Sequence, residues 1–164
     1  MRRLAFLVIM LLMVGCGYKP AKTYIKSVIG ERVYVQTALF LRDPENSVLI
    51  KDAINKAMQE RFGRNLVSYK DADTKIFAKV KSLHFTPLEY DRYGYVVYYR
   101  TKVLMEFEVL KSGKKEHIIT QGLYDFPIEP NSVITDSLRF LAIKEAANKA
   151  IDAFIAKLSF LGVD

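Results

Sequence analysis

The chain has 164 residues, a size typical of one globular domain, and it carries a formal net charge of +7 at pH 7. Its 51% hydrophobic residues and its length allow it to bury about two-thirds of the surface of the unfolded chain. Cys16 is the single cysteine, which excludes a disulfide within the chain.

Residues 1–15 have the pattern of a secretory signal. Arg2 and Arg3 give a basic start, residues 4–14 are apolar, and Gly15 precedes Cys16. The apolar run is shorter than the ~20 residues that a membrane-spanning helix requires. The tetrad at residues 13–16 resembles a lipobox, with Met where Leu is usual. We therefore predict a lipoprotein signal peptide over 1–15 and acylation of Cys16. The alternative is an ordinary secretory signal followed by an incidental cysteine.

An acylated Cys16 would place the protein on the periplasmic side of a membrane. Lipoprotein sorting retains proteins with Asp after the cysteine in the inner membrane, and here the residue is Gly17. We therefore predict an outer-membrane location through a lipid anchor, with residues 16–30 as anchor and tether. Residues 31–164 are predicted to form a single α+β domain. An exported basic domain would meet anionic lipids and phosphorylated glycolipids and no nucleic acid.

The patterns along the domain predict elements in the order β-α-β-β-β-α. The predicted bounds are 31–37 (strand), 48–62 (helix, with Gly63 as a left-handed stop), 75–90, 95–110 and 117–126 (strands), and 132 or 135 to 158 (helix). Turn residues at 91–94 and 112–113 predict hairpins. Since both helices are amphipathic, each needs a sheet face to cover. The fold class is therefore α+β, a two-layer sandwich with a largely antiparallel sheet and two helices on one face.

Alternation along the long strands predicts which residues face the helices. The core face should carry Ile76, Ala78, Val80, Val97, Tyr99, Val103, Met105 and Val109. The opposite face should carry Phe77, Lys79, Lys81, Leu83, Phe85, Tyr98, Arg100, Lys102, Glu106 and Glu108. This mixed basic and aromatic face is the candidate binding surface. The alternative is an ordinary solvated face, which antiparallel sheets usually have.

The last helix shows a similar division. Its buried side is predicted to contain Leu138, Leu141, Ile143, Ala147, Ala150, Ile151, Phe154 and Leu158. Its solvated side is predicted to contain Arg139, Lys144, Lys149, Asp152 and Lys157.

No motif in the chain has the residues of a catalytic or metal site. His84 and His117 have no second ligand at metal spacing, and no nucleophile elbow or phosphate-binding glycine loop occurs. Residues 92–98 resemble an RNA-recognition signature, but the expected glycine and the final β-α-β order are missing. We therefore predict that the chain is not an enzyme, needs no cofactor or metal and binds no nucleic acid.

Several stretches together resemble a known family. They are the Cys-Gly-Tyr start at 16–18, Ala72-Asp73 at the entry to a strand, the segment 87–100 (PLEYDRYGYVVYYR) and the Ala-rich last helix. With the lipobox and the element order, these are similar to LptE, the lipopolysaccharide-assembly lipoprotein family. The resemblance covers nearly the whole chain after the signal.

The resemblance implies a non-enzymatic role. LptE proteins sit as a plug inside LptD, a large outer-membrane barrel, and bind lipopolysaccharide while it is transported to the outer leaflet. By this resemblance, lipid A phosphates or acidic barrel residues would contact the cations Lys79, Lys81, Arg92, Arg100 and Lys102. The barrel would be contacted by Tyr90, Tyr93, Tyr95 and Tyr98.

Three other classes stay open at this point. One is an auxiliary lipoprotein of an ABC-type or mammalian-cell-entry phospholipid transport system, which can share a small α+β fold and a lipid anchor. A second is a lipoprotein that binds peptidoglycan, for which the sequence shows no diaminopimelate pocket. The third, a degradative envelope enzyme, lacks a catalytic constellation.

Overall fold

The computed structural model describes residues 29–39, 47–63 and 66–161. The predicted signal peptide, Cys16 and most of the predicted tether lie outside the described residues. The elements are β1 (Val33–Leu39), α1 (Ser47–Phe62), β2 (Thr74–Tyr90), β3 (Val96–Lys111), β4 (Lys114–Pro127) and α2 (Asp136–Leu161). The predicted element order and the α+β fold class are confirmed.

The sheet has four strands in the spatial order β1-β2-β3-β4. Strands β2, β3 and β4 form an antiparallel meander, and β1 pairs parallel to β2. Both predicted hairpin turns are present. Gly94 has φ 85°, and Ser112 and Gly113 have φ 50° and 79°. These values lie in the left-handed region that tight hairpin turns require.

Helix α1 forms because its apolar residues recur on one side. The buried residues of that side are Ala53, Ile54, Ala57, Met58 and Phe62. The Arg61 guanidinium donates two hydrogen bonds to the Asp152 carboxylate, at 2.6 and 2.9 Å, and so links α1 to α2. The prediction that Gly63 stops the helix in a left-handed conformation is wrong, because Gly63 continues the last turn as a short 3-10 step.

A bulge in β2 changes which side chains face the helices. Val80 pairs with Met105 and Ser82 with Leu104, so Lys81 is an additional residue in the strand. Such an insertion reverses the alternation beyond it.

The bulge overturns two predicted positions. Leu83 and Phe85 were predicted on the open face, but they pair with the buried residues Val103 and Thr101 and pack against the core. Of the eight predicted core residues, Ile76, Ala78, Val80, Val103, Met105 and Val109 are buried, and Val97 is only half-buried. Tyr99 is half-buried and stacks on the core residue Phe126, with a ring-centroid distance of 6.1 Å.

Helix α2 lies very close to the sheet at Gly122. A Cβ atom there would be 1.8 Å from the backbone oxygen of Ala146 and 2.6 Å from the backbone nitrogen of Ala150. The Thr120 hydroxyl donates to the Ala150 carbonyl at 2.7 Å. Small residues on both elements therefore bring the two backbones into contact.

Four predictions for α2 differ from the structure. Leu138, predicted to be buried, and Lys144, predicted to be solvated, are both half-buried. Leu141 is 40% exposed, because the buried side of the helix is centred on Ala142 and Ala146. Arg139, predicted to be solvated, is half-buried, and its Nε atom has no access to solvent. Among the described residues no helix is both long and apolar enough to cross a membrane.

Candidate functional site

The sheet face away from the helices, called the outer face below, carries the candidate site. It is reached by alternate residues of all four strands. They include Gln36, Ala38, Phe77, Lys79, Tyr98, Arg100, Lys102, Leu104, Glu106, Glu108, Lys115, His117, Ile119, Leu123 and Asp125. The outer face holds four of the five predicted cations, Lys79, Lys81, Arg100 and Lys102.

Glu106 is the centre of one charged cluster on this face. Lys81 lies 3.0 Å from one carboxylate oxygen, and the His117 ring contacts the other. The hydrogen bond from His117, followed by that from Lys81, lowers the pKa of Glu106 from 4.5 to about 2. The carboxylate is therefore ionised at neutral pH, and Lys81 is largely neutralised by it.

Arg100 is also neutralised by a neighbour. Its guanidinium donates to both oxygens of Asp125, at 2.7 and 2.6 Å. This hydrogen-bonded pair lowers the pKa of Asp125 and raises that of Arg100. A phosphate group would have to displace a bidentate carboxylate in order to bind Arg100.

Lys102 differs from these paired cations. It is exposed, lies between His84 and Leu123 on the neighbouring strands, and makes no ion pair with any described residue. Lys79 lies beside Glu106 in the register and has a polar or charged contact of its own. Lys102 is thus the outer-face cation most available to an anionic ligand.

A groove of about 260 Å³ crosses the outer face near β1. Phe77 and Ala38 give it an apolar part, while Lys79, Glu106 and His117 give it polar walls. Beside it lies an aromatic group that the sequence did not reveal. The Tyr34 ring packs edge-on against Tyr69 at 5.2 Å and against Phe77 at 6.2 Å.

The β2–β3 hairpin forms a second part of the site. Tyr90, Tyr93 and Tyr95 are 61%, 70% and 46% exposed, and together they are called the tyrosine hairpin below. The Asp91 carboxylate accepts hydrogen bonds from the backbone N–H groups of Tyr93 and Tyr95, at 2.8 and 2.9 Å. Asp91 thereby holds the turn that presents the rings.

The two other predicted residues of this region differ in position. The guanidinium of Arg92 lies 4.8 Å from the centre of the Tyr93 ring, at the tip of the hairpin and away from the outer-face cations. Tyr98 is half-buried on the outer face and so does not join the exposed tyrosines. The predicted residues thus form two groups, one at the tip and one on the face.

The described residues contain no group of three or more His, Cys, Asp or Glu side chains arranged to hold a metal ion. Glu106, whose pKa is lowered to about 2, is on an open sheet face and contacts two basic side chains, Lys81 and His117. The arrangement suits recognition of charged and amphipathic surfaces.

A sequence model of the family described as LptE, lipopolysaccharide-assembly, matches residues 33–158. The chain belongs to the LptE family. The match spans every element from β1 through most of α2, including the outer face and the tyrosine hairpin. No curated protein sequence matches the chain.

The comparison with solved structures finds lipoproteins similar to this chain at low sequence identity. A putative lipoprotein from Caulobacter crescentus has a TM-score of 0.52 and 9% identity, covering 87% of this chain and 98% of the other. Rare lipoprotein B from Shewanella oneidensis has a TM-score of 0.49 and 14% identity, covering 79% and 98%. An uncharacterised lipoprotein B from Nitrosomonas europaea has a TM-score of 0.42 and 12% identity, covering 81% and 85%. The similarity to the Caulobacter crescentus lipoprotein supports the fold alone, because the sequence identity is only 9%.

Family membership gives the general role. LptE proteins are non-catalytic lipoproteins of the cell envelope that serve lipopolysaccharide assembly at the outer membrane. The chain is therefore a lipopolysaccharide-assembly lipoprotein.

Proposed function

We propose that this chain is a non-enzymatic plug and support of an LptD-type outer-membrane barrel and that it binds lipopolysaccharide during assembly in the outer leaflet. Acylated Cys16 would hold it at the periplasmic side of the outer membrane. The observation that carries the proposal is the tyrosine hairpin, an exposed aromatic group on a rigid turn in a chain of the LptE family.

The tyrosine hairpin suits a protein partner. Tyr, with an apolar ring and a polar hydroxyl, is enriched at protein interfaces, and aromatic side chains lose few rotamers on burial. These three rings and the 38% exposed Leu88 lie in one hairpin and form a patch that water solvates poorly. We expect this patch to contact the inner wall of the barrel.

The cations suit the phosphates of lipid A to different degrees. Arg92 and Lys102 make no ion pair with the described residues, so binding of a phosphate there displaces no carboxylate. Lys81 and Arg100 would first have to leave Glu106 and Asp125. We therefore expect Arg92 and Lys102 to dominate lipopolysaccharide binding.

The barrel contact can be tested by pull-down of the tagged, acylated protein in mild detergent, followed by mass spectrometry. A stoichiometric large outer-membrane barrel supports the proposal. Replacing Tyr90, Tyr93 and Tyr95 by Ser should remove the barrel. The control is Phe160→Ser, which removes an 84% exposed aromatic ring from the far end of α2. Recovery of inner-membrane transporter subunits would replace the proposal with the phospholipid-transport alternative.

Lipopolysaccharide binding is tested with the charge reversals Arg92→Glu and Lys102→Glu. Each should weaken binding, and the double variant should weaken it further. Lys56→Glu is the matched control, since it changes net charge equally on the exposed side of α1. Equal loss in the control would show that net charge alone governs binding and would refute the assigned residues.

A further inference from the structure

A second polar group lies on the opposite, helix-covered face of the sheet. Three buried polar side-chain atoms in the described residues have no hydrogen-bond partner, and two of them, Thr101 Oγ1 and Arg139 Nε, lie next to the same ring, Phe85. Thr101 is the cross-strand neighbour of Phe85 and is fully buried. The Arg139 guanidinium carbon is 5.5 Å from the centre of the Phe85 ring.

Arg139 is unusual because it is half-buried and has no charged partner among the described residues. Arg is seldom buried without a charged partner, since removing its charge from water is costly. Arg139 makes no ion pair with any described residue, although the other half-buried arginines, Arg61 and Arg100, each hold a carboxylate by two bonds. A half-buried guanidinium with an inward-facing unsatisfied N–H has the chemistry of an anion receptor.

Thr101 adds a hydroxyl donor at a core position where it has no hydrogen-bond acceptor. A buried hydroxyl without a hydrogen bond destabilises the fold, and Val has nearly the same shape without this cost. The neighbouring buried threonine, Thr120, does have a partner, the Ala150 carbonyl. The unused hydroxyl of Thr101 is therefore explained if it donates to a ligand.

The surroundings would strengthen such binding. Phe85, Tyr99 and Tyr124 all lie close to Phe126, with ring-centroid distances of 6.3, 6.1 and 6.4 Å. This aromatic group surrounds Thr101 in the strand register. Hydrogen bonds to an anion are stronger among apolar side chains than in water.

We propose that Arg139 and Thr101 form a receptor for a phosphate monoester group on the helix-covered side of the sheet. The planar guanidinium supplies two parallel donors, and the hydroxyl, from a different element, supplies a third donor. Three donors from two elements suit a tetrahedral phosphate better than a planar carboxylate. The site is separated from Lys102 and Arg92 by the sheet and the hairpin, and it does not depend on the proposed lipopolysaccharide and barrel contacts.

The direct test follows the Arg139 Nε–H resonance of the detergent-solubilised full chain by NMR. Inorganic phosphate and a short-chain phosphatidic acid should each shift this resonance saturably, and acetate should not. A response to phosphatidic acid alone would identify the source as a lipid headgroup, and an equal response to inorganic phosphate would identify free phosphate. The absence of a saturable shift with either phosphate would overturn the proposal.

Variants give a second readout, the rise in melting temperature caused by phosphate. Arg139→Gln should abolish the rise, and Arg139→Lys, which keeps the charge but loses the fork, should retain a small part of it. Thr101→Val should weaken phosphate binding by about tenfold or more, the effect of losing a hydrogen bond to a charged group. Without phosphate, Thr101→Val should melt no lower than the wild type.

The matched controls are Arg32→Gln and Thr86→Val, which make the same changes at exposed positions outside both proposed sites. Both should leave the phosphate response unchanged. If Thr101→Val binds phosphate as tightly as the wild type, the hydroxyl is not a ligand and the receptor is wrong. Loss of the phosphate response in Arg139→Gln with intact lipopolysaccharide binding would separate this site from the proposed function.

Discussion

Gly122 is the position where one added methyl group should be most costly. In Gly122→Ala the new Cβ would lie 1.8 Å from the Ala146 oxygen, 2.6 Å from the Ala150 nitrogen and 2.9 Å from the Ala146 carbonyl carbon. All three are backbone atoms, so no side chain can rotate away. Ordinary contact begins near 3.4 Å, so α2 and β4 must separate by about 1.6 Å.

The cost of this separation can be worked from the contacts it breaks. Overpacking a well-packed core costs about 1–3 kcal/mol. The Thr120 to Ala150 hydrogen bond, now 2.7 Å, would also be lost, at about 1 kcal/mol. We therefore expect Gly122→Ala to lower the free energy of unfolding by about 3 kcal/mol, a large part of the ~5–15 kcal/mol typical of a domain.

Urea unfolding followed by circular dichroism measures this difference. The matched control is Gly63→Ala, where the added Cβ meets nothing within 4 Å and φ is not left-handed. The control should change the free energy of unfolding by no more than about 0.5 kcal/mol. If Gly122→Ala is within that same range, the close contact between α2 and β4 is not a determinant of stability.

Three further predictions concern single interactions. Thr120→Val should lower the free energy of unfolding by about 1 kcal/mol in urea titration, because the hydroxyl donates to Ala150, and an unchanged value would contradict this bond. The low pKa of Glu106 stabilises the folded state above the unfolded pKa of 4.5, and this contribution is lost as the pH falls toward about 2. The stability difference between wild type and Glu106→Gln, from urea titrations across this pH range, should therefore shrink with falling pH, and a constant difference would refute the assignment. Arg61→Ala should lower the free energy of unfolding by less than about 1 kcal/mol, since the paired Asp152 side chain is 53% exposed. A coupling energy above about 1 kcal/mol in a double-mutant cycle with Asp152→Ala would contradict this expectation.

The element order and the outline of the core followed from hydrophobic periodicity. The long strands alternate clearly at Ile76, Ala78 and Val80, and those positions are buried as predicted. The pattern failed just beyond them, at Leu83 and Phe85. A bulge needs only one extra residue. The sequence around Lys81 contains no residue, such as Gly, that would indicate a bulge at this position.

The candidate site was predictable only in part. Alternation placed Lys81, Arg100 and Lys102 on one face, but it could not show that Glu106 and Asp125 neutralise two of them. Those pairings depend on the register between β2, β3 and β4, which hairpin turns and bulges set at a distance. Strand β1 supplies Gln36 and Ala38 to the groove through a parallel pairing that no tight turn specifies.

In α2 the error at Arg139 had a different cause. A charged residue on an amphipathic helix is usually solvated, so the pattern placed it outside. The structure instead lays its guanidinium over Phe85, a ring that the bulge had moved to the helix-covered face. The bulge at Lys81 in β2, which the sequence pattern did not predict, thus changed the surroundings of Arg139 in α2.

The parallel attachment of β1 has a consequence for the order of folding. Arg32 and Asp73, paired at the start of the β1–β2 ladder, are 41 positions apart, whereas β2, β3 and β4 are joined by tight turns. Closing the longer loop costs more entropy, so the meander can form first and β1 joins late. Val33→Ala should therefore accelerate unfolding and leave the refolding rate nearly unchanged, whereas Val103→Ala should slow refolding. Of the four described strands, the first to be synthesised would then be the last to join the sheet.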